Sequence, residues 1–409
     1  MKRCIIGVCL TAAALPAERL ETKAQVVTAW YQPTSYPAKK FDGSAMPEDI
    51  KVVHVWGGWF GNSFYKMLVQ NSSLWIGGKG STYTSPIKFD ITGLPVNPDL
   101  VNLYLHALPS GSANPSQVSL WRINTTWLPS TTGWDKFPYV SYPGYYWPVS
   151  TVVNGWRWYT ITGWYNDWKS GTHSDNGILI WPYNNDDKQR FDRFASSRVS
   201  SPTDASRFSL RPLLRLDFTP TLWLQMPLPG NHQWLVTTEV GGYDCTGEYD
   251  QAHDGLNYFS IDFSWRNVAD AGATVYTEAS DIPVLAAEGG RVLAFLNDPN
   301  NGNYVVVTHG STGFTTRYLH LKSIVVVSAT TVVQGDTLGY MGNTGLSDGV
   351  HLHFGIRYNN SGAATVPELT KVLLNGWLLK NFQTECSVNE KGVPQDPPIR
   401  YYRSSSKAY

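Results

Sequence analysis

Between Val52 and Phe218, apolar and polar residues alternate in short runs separated by Gly, Pro, Asn, Asp and Ser. Successive side chains of a β-strand point to opposite faces, so a period of two marks a half-buried strand. Such runs recur at 74–76, 85–91, 100–105, 118–123, 158–161, 177–180 and 213–218. Many short strands at even spacing predict an all-β fold, with a jelly-roll-like β-sandwich over 50–219. One stretch departs from the period: Trp164, Tyr165 and Trp168 fall three and four residues apart, which predicts a short helix over 162–169. A second domain, expected to be mostly antiparallel β with a groove, follows over 221–382. Pro220, Pro227 and Pro229 mark the boundary between the two. Residues 25–49 carry Pro33, Pro37 and Pro47 without periodicity and read as a linker or arm, while 383–409 read as a polar tail.

Met1-Lys2-Arg3 followed by the apolar run 4–15 has the pattern of a secretory signal peptide over 1–24, with cleavage after Ala14, Ala17 or Ala24. That run is too short to span a bilayer and no other is long enough, so a secreted chain without a membrane span is expected. Lys plus Arg and Asp plus Glu both number 32, so the chain lacks the basic excess that a nucleic-acid partner requires. Cys4 and Cys9 leave with the signal; Cys245 and Cys386 then either form a disulfide or remain two buried thiols.

Candidate chemistry gathers in the second domain, which holds six of the nine histidines. In His351-Leu352-His353-Phe354 the two histidines share one strand face, while Leu352 and Phe354 turn into the core. Two imidazoles on a rigid strand are half of a metal site and weak evidence alone. Upstream, Asp250-Gln251-Ala252-His253-Asp254-Gly255 precedes Ser260-Ile261-Asp262-Phe263. Asp262 faces away from its apolar neighbours, and a carboxylate inside such a strand is costly unless paired or bound to metal. His253, Asp262 and one histidine of the 351/353 pair make the two-His, one-carboxylate set of a catalytic zinc site. Asp250 and Asp254 are alternative loop ligands.

Four further elements follow in order: Pro283-Val284-Leu285-Ala286 with Gly289-Gly290-Arg291-Val292, then Tyr318-Leu319-His320-Leu321, Gly342-Asn343-Thr344-Gly345, and His351-Leu352-His353-Phe354. Together with His253 and Asp262-Phe263, they resemble the lysostaphin-type zinc metallopeptidases over about 222–360. The resemblance implies that His253, Asp262 and His353 bind one Zn²⁺ per chain and that His320 and His351 are the catalytic histidines. It implies a monomeric endopeptidase that hydrolyses peptide bonds of bacterial cell-wall peptidoglycan through a zinc-activated water. The alternatives are an extracellular protease of glycine-rich proteins and a catalytically inert wall- or glycan-binding protein. His309, in Val306-Val307-Thr308-His309-Gly310, is expected to be structural, and the turn at Asn343-Thr344-Gly345 to shape the groove.

The first domain carries a looser resemblance. Lys88-Phe89-Asp90 with Leu94-Pro95, Trp168 with Asn176-Gly177, and Phe194-Ala195-Ser196 with Arg211-Pro212-Leu213-Leu214 resemble the motifs of DNRLRE-type domains over 50–219. That implies an extracellular sandwich, serving either as a glycan contact or as a spacer. It supplies none of the five site residues, so the chemistry is not expected to require it.

Overall fold

The computed structural model describes residues 26–31, 50–52, 54–60, 63–69, 73–78, 82–109, 118–127, 140–146, 155–182, 191–195, 210–243, 249–269, 273–382, 387–388, 394–395 and 402–403. The signal-peptide segment, Cys245 and Cys386 lie outside the described residues. Within them the fold is all-β, as the alternation predicts, with antiparallel pairing throughout both large sheets.

The first half is a 13-stranded antiparallel sheet folded around a main core, with a smaller cluster of Ile123, Trp127 and Leu179 beside it. Its main path runs through Val27–Tyr31, Leu213–Phe218, Leu100–Leu108, Phe191–Ala195, Ser73–Gly78, Thr82–Phe89, Ile178–Pro182, Val118–Ile123 and Val140–Tyr146. Alternation decides which face each residue takes: Leu214, Leu216 and Phe218 are buried, whereas Arg215 and Asp217 face outward. The expected helix spans Thr162–Lys169 and buries Trp164 and Tyr165. It stops where Gly171 takes φ +75, a left-handed conformation that closes a helix cheaply only with glycine. The segment read as a linker or arm contains a sandwich strand instead. Val27–Tyr31 pairs with Leu213–Phe218, from Val27 opposite Phe218 to Tyr31 opposite Leu214. Its period is only five residues long, and its partner lies more than 180 positions away, as Tyr31 and Leu214 illustrate (214 − 31 = 183).

The second half is built on an 8-stranded antiparallel sheet. Across it run Thr331–Val332, Gly290–Asp298, Gly302–Thr308, Phe314–Leu321, Leu352–Tyr358, Ser260–Ala269, His232–Thr238 and Tyr402–Arg403. One face is packed: Trp234, Phe263, Tyr318, Leu352, Phe354 and Ile356 join Val284 and Leu338 of a 3-stranded sheet, and Met341 next to it, in one core. The other face carries Leu293, Phe295, Tyr304, Val306, Arg317 and Arg357 and is open or half-open to solvent. Tyr402–Arg403, within the segment read as a polar tail, extends this sheet beside Gln233 and Trp234.

The two halves are joined by packing as well as by sequence. Leu222–Leu224, in the segment read as a boundary, pairs in parallel with Val372–Leu374. Leu373 and Leu378 of the second half belong to the core cluster of the first. Lys380 Nζ stands 3.2 Å from Asp90 Oδ2, and Val96 N–H donates to Thr370 Oγ1 at 3.3 Å.

Candidate active site

Strand register places the site. Asp262 stands directly opposite His353 across the ladder of Ser260–Ala269 with Leu352–Tyr358, and Leu319 stands opposite His353 on the other side. Ile261 and Phe263 are buried in the core, so alternation turns Asp262 to the other face, where His353 also points. His351 precedes the strand and is fixed by a single bridge to Gly342. His253 closes a short 3₁₀ turn, Gln251–His253, whose first N–H groups are met by Asp250 accepting from Ala252 N at 2.7 Å.

His320 arrives differently. It ends the Phe314–Leu321 strand with φ 64, a left-handed conformation uncommon outside glycine. Its backbone N–H donates to the Asn301 carbonyl at 3.0 Å and its Nδ1 to the Thr344 carbonyl at 2.9 Å. Two glycines let those carbonyls converge. A Cβ on Gly302 would lie 2.2 Å from Thr344 O, and one on Gly345 would lie 2.3 Å from Gly302 N. The turn expected to shape a groove thus grips a histidine.

The rings share a pattern of proton placement. His253 Nδ1 lies 3.0 Å from the Ser260 carbonyl, and His351 Nδ1 lies 2.9 Å from the Gly349 carbonyl. A carbonyl only accepts, so each of these rings, like His320, carries its proton on Nδ1 and presents an Nε2 lone pair to the site. His253 Nε2 is 3.1 Å from Asp262 Oδ2, His353 Nδ1 is 3.0 Å from Asp262 Oδ1, and His351 Nε2 is 3.8 Å from the same oxygen. The rings of His320 and His351 have centroids 4.9 Å apart.

His253, Asp262 and His353 are buried, and one donor atom from each lies within 4.8 Å of the others. Despite the short separations, His253 Nε2 and Asp262 Oδ1 have no hydrogen-bond partner. On neutral His253 a lone pair meets a carboxylate lone pair, an arrangement that is stable only with a cation between them. Burial lowers the pKa of His253, but Asp262 outweighs it and pushes the ring up. Burial likewise raises Asp262, yet His253 and then His353 hold its carboxyl well below the usual carboxylate range. His353 is pushed down to about 4 by burial, and burial also lowers His320. The set therefore accommodates one cation, a proton or a metal ion, and two nitrogens with one carboxylate oxygen suit a divalent transition metal.

Of the alternative loop ligands, Asp254 is occupied by the Gly255 N–H at 2.6 Å. Asp250 Oδ2 stands on the rim, 3.9 Å from His253 Nε2. His309 is in a buried chain away from the set: its Nδ1 donates to the Gly289 carbonyl at 2.9 Å, and its Nε2 accepts from Thr316 Oγ1 at 3.0 Å. The roles of Ser260, Asn301 and Gly349 could not be read from residue type, because they act through backbone carbonyls.

Residues 270–365 match the family model described as Peptidase family M23. The match takes in His309, His320, His351 and His353 and begins after His253 and Asp262. The peptidoglycan DD-endopeptidase ShyA of Vibrio cholerae is 32% identical over 149 residues, 32% of this chain and 34% of that protein. ShyC of the same organism, also a peptidoglycan DD-endopeptidase, is 40% identical over 81 residues, 20% of this chain and 18% of that protein. The chain thus spans about a third or less of the length of these relatives. Among solved structures, the catalytic domain of lysostaphin from Staphylococcus simulans aligns over 34% of this chain and 92% of its own, at 19% identity and TM-score 0.24.

Proposed function

Since the second half of this chain carries a peptidase domain of family M23, we propose that the protein is a secreted zinc metalloendopeptidase that hydrolyses peptide bonds of bacterial peptidoglycan. The observation that carries this reading is the buried His253–Asp262–His353 set, with unpartnered lone pairs turned on one another, beside two histidines that offer Nε2. Those three residues would hold the ion through His253 Nε2, an Asp262 oxygen and His353 Nδ1. When bound, zinc supplies a Lewis acid that polarises the scissile carbonyl and lowers the pKa of water from ~16 towards ~7.

This chain's own groups do the rest. His351 Nε2 accepts the proton of the attacking water, with the ring kept in that tautomer by the Gly349 carbonyl. Burial keeps resting His320 neutral, with Nδ1–H committed to Thr344 and only a lone pair at Nε2, so it acts after taking up a proton there during turnover. So charged, it stabilises the oxyanion or delivers a proton to the leaving amine.

The full chain, incubated with purified peptidoglycan, should release fragments whose masses report one class of hydrolysed peptide bond and intact glycan strands. A chelator should stop their release. Cleavage of a glycine-rich protein but not of peptidoglycan would favour the other protease reading, and wall binding without cleavage of either would mark an inert binder.

A glycan contact by the first half is favoured over a spacer role by an aromatic row on its outer face. Trp30 and Trp158, 43% and 58% exposed, flank Tyr104, with centroids 5.0 and 6.0 Å from it. Exposed rings of this kind offer faces to the C–H groups of a sugar. The double variant Trp30→Ala, Trp158→Ala should be retained less on sedimented walls than the unaltered protein; equal retention would leave the first half as a spacer.

A further inference from the structure

One step along the sheet from Asp262 and His353 lies a second row of facing residues. Ser260 stands opposite Gly355, and Gly355 opposite Arg317, on the same three strands. Same-face residues recur every two positions, so this row lies ~7 Å from the histidine–aspartate row and faces the same way. The next same-face position on Leu352–Tyr358 is Arg357, opposite Thr315. Two guanidinium groups therefore stand diagonally adjacent on the open face, leading away from the site.

Neither has a carboxylate partner among the described residues. Arg357 donates from Nε to the Leu256 carbonyl at 3.1 Å and from Nη2 to Asn257 Oδ1 at 2.6 Å, both neutral acceptors. Among the described residues Arg317 makes no hydrogen bond or ion pair; its Cζ lies 5.5 Å over the ring of Tyr304, which stacks on Phe295 at 4.5 Å. Asp298 is the acidic group whose charge reaches Arg317, and its Oδ1 accepts from the backbone N–H groups of Asn300 and Asn301 at 3.0 and 2.7 Å. The two arginines repel one another, and burial together with Arg317 brings Arg357 down to about 10. Between them stands Gly355, whose lack of a side chain makes room for Ser260 Oγ, 2.8 Å from where a Cβ would sit, and that buried hydroxyl has no partner. Uncompensated like charges that are half-buried, held in place by a ring, and set beside an unpartnered hydroxyl are costly until an anion joins them.

We infer that Arg317, supported by Arg357, forms a carboxylate-binding subsite that selects peptides bearing a free carboxylate within about two residues of the scissile bond. This rests on the peptidase reading of the neighbouring site. It separates acidic peptide substrates from uncharged glycine-rich chains.

The test uses the zinc-loaded full chain and two pairs of synthetic peptides. In one pair a side-chain carboxylate near the cleaved bond is compared with its amide; in the other, a terminal carboxylate is compared with its amide. Binding by calorimetry and hydrolysis are both measured. In at least one pair the acid should bind about 10-fold more tightly, as a charge-assisted contact provides, and the pair showing it identifies the carboxylate's position. In Arg317→Gln that preference should vanish while affinity for the amide stays unchanged. Equal binding of acid and amide in both pairs would overturn the inference. So would a preference surviving Arg317→Gln, or equal weakening of acid and amide, which would make Arg317 a structural prop. A binding preference without hydrolysis would sustain the subsite and instead defeat the peptidase reading.

Discussion

Asp262 is the single anionic donor in a set of three, and each donor comes from a different turn or strand. An open metal site keeps only three protein ligands, so losing one leaves too few to hold the ion tightly. Asp262→Ala and His353→Ala should therefore each lose both zinc and activity, with zinc content read by atomic emission; full occupancy in both would sink the ligand assignment. His320→Ala and His351→Ala should keep zinc while turnover falls by ~10²-fold or more, as for the loss of an acid–base or charge-stabilising group. Loss of zinc in step with activity in either variant would move that histidine into the ligand set. Asp262 and His353 stood out in the sequence because their chemistry differs from that of their apolar neighbours: Asp262 lies between Ile261 and Phe263, and His353 between Leu352 and Phe354; the proposed roles of His320 and His351 rested on motif resemblance. The grip on His320 was not legible, since it uses the carbonyls of Asn301 and Thr344, and any residue has a carbonyl.

At the scale of elements, the strands around the site are tied by a buried relay. Ala287 N–H donates to Tyr318 OH at 2.8 Å; Tyr318 and Thr316 are 3.0 Å apart; Thr316 meets His309 Nε2 at 3.0 Å; and His309 Nδ1 donates to Gly289 O at 2.9 Å. The direction is fixed at both ends by a backbone donor and a backbone carbonyl, so His309 belongs there in its neutral form. Burial accordingly lowers its pKa below the ordinary value. The unfolded chain then takes up a proton at higher pH than the native one. The stability His309 contributes is therefore present above ~6.5 and lost as pH falls from there towards the lowered native value. His309→Gln can keep both bonds without titrating, at a cost of ~1 kcal/mol. Its Tm should lie below that of the unaltered protein at pH 8, and the gap should narrow as pH falls to about 5. A gap that does not change with pH would remove His309 from the acid response. Strand existence was legible here from a period of two, and likewise over 213–218. The Val27–Tyr31 strand was not, because five residues among prolines give too short a period and the pairing partner is remote.

For the whole molecule, the proline-marked segment after Phe218 looks like a linker in composition, yet it is packed on both sides. Leu222–Leu224 pairs with Val372–Leu374; Met226 N–H donates to Asn375 Oδ1 at 2.9 Å; and Leu228 is buried. Composition cannot show this, since the partners come from 150 positions later (372 − 222 = 150). The expectation that the first half is dispensable for chemistry therefore needs dividing. It supplies none of the five site residues, so folded molecules of a chain starting at Thr221 should hydrolyse a small soluble peptide at close to the full-length rate. Stability is another matter. Leu373 and Leu378, 1% and 2% exposed, sit in the core of the first half and would face water without it, at ~1.5–3 kcal/mol each. Lys380, buried against Asp90, would lose its partner but regain solvent, a change close to neutral. The shortened chain should thus unfold at a clearly lower temperature and aggregate on warming. Replacing Leu373 and Leu378 by Thr in that shortened chain should restore solubility, because the packing they lose is already absent. In the full chain the same pair of replacements should destabilise. A shortened chain as stable as the full one would mean that the shared leucines contribute nothing, and the two halves would then be independent after all.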